Sequence, residues 1–319
     1  MNGSDMEVSI APVNGVAIES EFAEAFDMKA TRVIITGHDR QWALDGARAM
    51  TGFATSVIAC GIEMAIEREL SPAETPDGRP GFAILAFTVS GKELEKQIPR
   101  RIGQCVLTCP TSAMYAGIQG DKSVHPKRIP MGKTIRYFGD GHQISKVTYD
   151  DAYPRGQRFW RVPVMDGEFI CEHDVGRVDG IGGGNFLLLG DSVDAVSTAC
   201  RAAIDAMGKL PGIITPFPGG VARSGSKVGS KYPALFASTN HAFCPTLKNA
   251  TETLLRDDET VAMEIVIDGL SFDAIAESMK VGIMAACEVG GGNGLLRVTA
   301  GNYGGKLGKH HFHLAEVMQ

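Results

Sequence analysis

Four times along the chain a short β-branched run is followed by a polar or glycine turn, an amphipathic stretch and a second apolar run. RVIIT at 32–36 leads through a turn at 37–39 into a helix past Trp42 and Met50, with a strand expected at SVIAC, 56–60. GFAILAFTV at 81–89 leads to Ser90 and Glu93, a capping-box pair, and to a helix that Pro99 is expected to interrupt or kink. NFLLLGDSVDA at 185–195 opens a helix to about Met207, followed by the strand GIIT from Gly212. MEIVIDGLSFDA at 263–274 opens a helix to about Glu288, followed by LLRVTA from Leu295. The last two copies share Ser-x-Asp-Ala at the helix start, where Ser192 and Ser271 are natural N-caps and Asp194 and Asp273 suit the positive end of the helix dipole.

Two strand–helix–strand units per half predict an α+β fold of two tandem ferredoxin-like (split βαβ) lobes, with antiparallel sheets and helices on one face. The boundary is expected near PVMDGEF at 163–169, after a long irregular stretch at about 119–156, giving lobes 1–165 and 166–319. GGGNF at 182–186 and AGNYGG at 300–305 both set Gly-Asn-aromatic beside a strand, a short echo of the kind duplication leaves.

Composition narrows the class. A chain that is 44% hydrophobic and 21% charged is ordinary globular protein, and its 39 glycines in 319 residues, well above the usual ~7%, have no three-residue period. Fibres, repeat arrays and disorder are excluded. The longest uncharged stretch, 102–120, contains Gln104, Thr108, Pro110, Thr111 and Ser112 and is too polar for hydrocarbon, so no membrane span is expected. MNGSDMEVSIAPV has neither a basic leader nor an apolar run, which reads as no secretory signal. Seven scattered cysteines without a CxxC pair fit reduced thiols in a cytoplasmic protein better than bridges or zinc. A net charge of −6 gives no global field for nucleic acid or an anionic membrane, so any anion must be bound locally.

The glycines gather in four loops: GDGHQ at 139–143, GIGGGN at 180–185, PFPGGVARSGSKVGSK at 216–231 and AGNYGGKLGK at 300–309. None is a nucleotide motif. GVARSGSK at 220–227 has serine where a P-loop needs lysine, and GIGGGN precedes a strand instead of joining strand to helix. Arg223, Lys227 and Lys231 in one region, and Arg297, Lys306 and Lys309 in another, stand without a neighbouring acid. Such loops either bind an extended anionic small molecule through close-approaching backbone N–H groups or are solvated surface. Glu264 is the most informative carboxylate. It lies within VAMEIVI, apolar on both sides, so it shares a strand face with Ala262 and Val266 and is expected to have a raised pKa suited to proton transfer near neutrality; a glutamate on an exposed strand face is the other reading. HHFH at 310–313 puts His311 and His313 on one face but offers no third metal ligand, and reads as a solvated C-terminal strand. Ser224, Ser226 and Ser230 lack a nucleophile elbow, and Cys105 and Cys109 read as core thiols near a helix end.

ETPDGRPG, RIGQCV, FGDG, GGGNF, PFPGG, SKVGSKY, ASTN, FCPT, EIVIDGL and AGNYGGKLG, collinear through nearly the whole chain, resemble formylmethanofuran:tetrahydromethanopterin formyltransferase. The resemblance implies two ferredoxin-like lobes and an acyltransferase moving a formyl group between N5 of tetrahydromethanopterin and the amine of methanofuran by direct transfer through a tetrahedral intermediate. Both coenzymes are substrates; no tightly bound cofactor and no metal is expected. Glu264 falls on the family's acid/base glutamate. Substrate contacts are expected from Asn185, Phe217, Pro218, Gly219, Gly220, Ser226, Lys227, Ser230, Lys231, Asn240, Asn302 and Lys306, with the three asparagines as oxyanion donors. The N-terminal extension, the 119–156 loop, the histidine-rich end and the mild composition point to the variety found in aerobic methylotrophic bacteria. There the protein is one subunit of a formyltransferase/hydrolase complex, with flux toward the furan and onward to formate. Homo-oligomers, dimer or tetramer, are the other expected assembly. A non-catalytic structural subunit and a polyanion-binding module without chemistry are the readings from other classes.

Overall fold

The computed structural model describes residues 10–118, 123–142, 144–147, 158–223 and 240–319. They form two compact units: Met28–Gly180, and Met1–Asp27 together with Ile181–Gln319. The units interleave along the chain, because residues near the N-terminus pair with the last part of the sequence: Ala17–Ile18 runs parallel to Leu295–Thr299, and His310–His313 runs antiparallel to residues 22–25. The 165/166 lobe boundary is a cut in the chain instead, and it separates sequence halves and not these packing units.

In the 28–180 unit the order across the sheet is Glu63–Leu70, Gly81–Thr88, the 28–36 portion of Phe22–Thr36, then Ala113–Ala116. With helices Arg40–Thr51 and Gly91–Arg101 in the crossovers, this is the split βαβ pattern of a ferredoxin-like lobe. Gly167–Glu172 extends the sheet in parallel beside Ala113–Ala116, and Phe159–Val164 follows antiparallel. One expectation fails here. VIAC is a helical turn, not a strand, because Ser56 caps it at Ile58 N (3.3 Å) and Gly61 closes it with φ 73°. The strand begins at Glu63. Pro99 is carried inside Gly91–Arg101, and the helix widens into a π-turn at Ile102–Val106.

The other unit repeats the topology. Its sheet order is Ile213–Ile214, Val261–Gly269, the 181–190 portion of Val178–Gly190, then Leu295–Thr299, all antiparallel. Helices Val193–Met207 and Phe272–Gly290 are capped by Ser192 and Ser271, whose hydroxyls accept from Ala195 N (3.4 Å) and Ala274 N (3.2 Å). Both helices lie on one face over Phe186, Leu188, Ile265, Ile267 and Val298. Gly282 makes this contact possible, since a Cβ there would sit 2.6 Å from Met207 Sδ and 3.0 Å from Phe186 Cζ. GIGGGN is part of the strand Val178–Gly190, which bulges between Gly182 and Gly184 where Gly183 has φ 97°.

Phe186 is fully buried in the helix-covered core. Phe186→Ala is expected to cost about 3–5 kcal/mol in denaturant unfolding, through lost burial and the cavity left behind. A cost below about 1 kcal/mol would show that the helices close over the gap.

Candidate active site

The second sheet has a face that the helices do not cover. Period-two alternation assigns it Asn185, Leu187 and Leu189 on one strand, Ala262, Glu264 and Val266 on the next, and Arg297 and Thr299 on a third. Register puts Glu264 beside Leu187, which is beside Thr299. Every polar side chain of this sheet's central rows therefore points the same way. The segment from Asn240 to Glu259 covers part of the face, with Phe243 and Leu255 packed on Leu187, Leu189 and Ala262.

Arg297 anchors that cover from below. It is 4% exposed, and its guanidinium donates to Glu259 (2.6 and 2.5 Å), to Glu19 (2.6 Å) and to the Leu254 carbonyl (2.8 Å). A fork of this kind satisfies a buried guanidinium with two carboxylates and ties three chain segments together. The expectation that Arg297 stands without an acid partner is thus corrected: its acids come from Glu259 and Glu19, far off in sequence. Lys309 is likewise paired, with Asp27.

Glu264 meets a different environment. Its carboxylate Oε2 accepts one hydrogen bond from Asn240 Nδ2 at 2.8 Å. Burial pushes its pKa up to about 7, against the smaller opposing pull of that amide. Its backbone is clamped on the side away from Leu187 by Ala222, which donates N–H to Glu264 O (2.7 Å) and accepts from Glu264 N (2.9 Å). The chain reaches Ala222 through the predicted Phe217, Pro218, Gly219 and Gly220 turn. Gly219 and Gly220 take φ 64° and 79°, and Gly220 has Ile204 where a Cβ would be.

Asn240 also lines a cleft of about 740 Å³ with Phe243, Arg256, Thr299, Gly301 and Asn302. Asn185, 6% exposed, lies under the far wall: its amide nitrogen donates to Gly183 O (3.1 Å) and Gly301 O (3.0 Å), and its oxygen accepts from Gly301 N (2.6 Å). Both of its N–H groups are thereby used within the chain, and it holds Gly301 in place. Asn302 donates to Phe22 O (3.2 Å) and Glu21 (3.3 Å). The structure so brings together Glu264, Asn240, Asn302, Asn185 and the 217–220 turn. Lys306 is exposed and does not line the cleft. Ser226, Lys227, Ser230 and Lys231 lie outside the described residues. Sequence reasoning missed Tyr303, whose hydroxyl pKa is raised by burial and by the charges of Glu264 and Glu24. The Gly-Asn-aromatic echo was its only signal.

Two family models match the chain, one described as formylmethanofuran-tetrahydromethanopterin formyltransferase over residues 11–164 and one as "FTR, proximal lobe" over residues 167–317. A formylmethanofuran–tetrahydromethanopterin formyltransferase from Rhodopirellula baltica is 67% identical over 95% of this chain and 92% of its own. A subunit of the formyltransferase/hydrolase complex of Methylorubrum extorquens is 49% identical over 96% of this chain and 97% of its own. The crystal structure of that organism's complex, in complex with methylofuran, matches at TM-score 0.90 and 48% identity over 97% of this chain and 99% of the other. The formyltransferase of Methanosarcina barkeri matches at TM-score 0.86 and 44% identity over 96% and 100%.

The Glu264 environment has a thermodynamic consequence. With a folded-state pKa of about 7 and an ordinary one of 4.5, the folded state holds the extra proton in that window, so Glu264 costs stability progressively as pH rises through it. Glu264→Gln, neutral throughout, is expected to gain about 3 kcal/mol on the parent between roughly pH 4.5 and pH 8 in urea unfolding. Glu172, also raised to about 7 by burial, is in the other unit and cancels in the difference. A pH-independent difference would mean that Glu264 titrates as an ordinary carboxylate.

Proposed function

We propose the following chemistry for this chain, which belongs to the formylmethanofuran-tetrahydromethanopterin formyltransferase family. The chain is an acyltransferase that moves a formyl group between tetrahydromethanopterin and methanofuran. Its two ferredoxin-like lobes agree with that membership. The proton carrier is Glu264.

Transfer begins when the acceptor nitrogen attacks the formyl carbon and ends when the bond from that carbon to the donor nitrogen breaks. Between the two, a proton must leave the entering nitrogen and another must reach the departing one. A carboxylate can take the first and, once protonated, return it to the second, so one group suffices if both its forms are populated near neutrality. The buried Glu264 carboxyl, with a single amide partner that also lines the cleft, is the observation that carries this reading. Asn240 keeps Glu264 oriented, and its neighbour across the cleft, Asn302, is the donor assigned to the oxyanion of the tetrahedral intermediate. Asn185 acts through Gly301. The 217–220 turn contacts coenzyme from the Ala222 side, and Ser226, Lys227, Ser230, Lys231 and Lys306 supply charge and hydrogen bonds to coenzyme tails. No resident cofactor enters the scheme. An inert structural subunit would have no use for a carboxyl buried at a cleft, which disfavours that alternative.

The chain works in the cytoplasm as part of a hetero-oligomer with hydrolase subunits, as the Methylorubrum extorquens relative's name describes for that protein. Its seven cysteines are free thiols, and among the described residues no helix is long and apolar enough to cross a membrane. In such an assembly the formyl group leaves N5 of the pterin for the furan amine, and hydrolysis to formate draws it that way. Neither nucleic acid nor a membrane surface takes part. The sequence lobes 1–165 and 166–319 are read as the products of duplication.

Glu264→Gln is expected to lower turnover about 10²- to 10⁴-fold in a formyl-transfer assay with both coenzymes. In the parent the rate should change with a midpoint near pH 7, where the carboxyl titrates. Unchanged turnover would remove the assigned role. Affinity purification from the native host should bring down hydrolase subunits in fixed ratio, whereas a homo-oligomer alone would contradict the assembly.

A further inference from the structure

The loop 301–309 turns its backbone N–H groups inward, as an anion site would, but the anion is the chain's own. Glu24, on the strand Phe22–Thr36 and 1% exposed, accepts from Tyr303 N (2.7 Å) and Gly305 N (2.9 Å) on one carboxylate oxygen. The other oxygen accepts from Leu307 N (2.6 Å) and Gly308 N (2.5 Å). Gly304 and Gly305 take φ 82° and 69°, which lets successive amides converge on one point. The approach is close: a Cβ on Gly308 would lie 2.7 Å from Glu24 Cγ. Burial pushes the Glu24 pKa up, but the amides of Gly308, Tyr303, Leu307 and Gly305 together hold it below the ordinary 4.5, so it stays charged at working pH.

This nest controls what reaches the cleft. Gly301 and Asn302 line the cleft, and Tyr303 follows directly, 44% exposed, with its ring 6.0 Å from Phe26. Asn185 fixes the loop at Gly301 and Glu24 fixes it from Tyr303 onward, so Asn302 is held from both sides. We propose that Glu24 is a positioning residue for formyl transfer, its buried carboxylate ordering the 301–308 loop so that Asn302 and Tyr303 stand at the cleft on which Asn240 and Glu264 act. The proposal rests on the reading of that cleft as the transfer site. It also assigns the loop's amides a purpose other than coenzyme binding, since four of them are already engaged.

Glu24→Gln tests it, because the amide nitrogen would confront two N–H donors while the oxygen keeps two. In the full-length protein the variant is expected to fold, as judged by circular dichroism, and to exchange the amides of 303, 305, 307 and 308 at least about tenfold faster. KM for at least one coenzyme should rise about tenfold or more, with the pH midpoint of turnover still near 7, since Glu24 is not among the groups that shift Glu264. Glu24→Asp, one methylene shorter but still charged, should fall between the two. Parental KM in a folded Glu24→Gln, or a loss that only tracks the unfolded fraction, overturns the proposal. If Glu24→Gln does not fold, the same two readings of Glu24→Asp decide. Full turnover in Glu264→Gln defeats the cleft assignment and the Glu24 role together; loss there with parental KM in Glu24→Gln defeats the Glu24 role alone.

Discussion

Taking a carboxyl out of water without giving it a cation is the constraint around which the site is built. Among the described residues Glu264 has one hydrogen-bond donor, the Asn240 amide, and neighbours such as Ala262, Leu187 and Val266 on its face. Desolvation there exceeds what the single bond returns, so the proton is held to near neutrality. The same sheet shows the contrast. Glu259, fully buried, and Glu24, nearly so, have their pKa values held below the ordinary range, because Arg297 supplies a guanidinium to one and four amides serve the other. Three buried glutamates within one unit thus take different roles by partner alone: a proton carrier, a tie for the covering segment and an anchor for a loop.

The architecture makes this separation possible. An antiparallel sheet with both crossover helices on one side leaves its other face free, and strict alternation sends Phe186, Leu188, Ile265 and Val298 to the helices while Asn185, Glu264, Arg297 and Thr299 go the other way. The apolar face supplies the rigidity and the polar face supplies the chemistry. A site carried on paired strands is held more firmly than one made of loops alone, and the loops that complete it are each tied down: 240–259 by Arg297, 300–309 by Asn185 and Glu24.

What was legible in the sequence was what local physics encodes. Ser192 and Ser271 announced their helices because capping acts over three residues, and Glu264 stood out because its strand is apolar on both sides. SVIAC misled because its β-branched run suggested a strand while Ser56 and Gly61 set a helical turn. Longer-range features left no trace. Glu24, between buried Ala23 and Ala25, looks like the polar face of an ordinary strand, and the amides it serves come about 280 residues later. Arg297 read as part of an acid-free basic loop since its acids lie outside the window. Asn240 was suspected, but its bond to Glu264 depends on how the intervening loop folds back.

The central claim is that Glu264 holds and releases a proton near neutrality, and its protonation can be followed directly. Infrared difference spectra of the carboxyl C=O stretch, taken as a function of pH on the parent and on Glu264→Gln, isolate the band that disappears in the variant. That band is predicted to titrate with a midpoint of about 7. A midpoint at the ordinary carboxylate value of 4.5 would contradict the account.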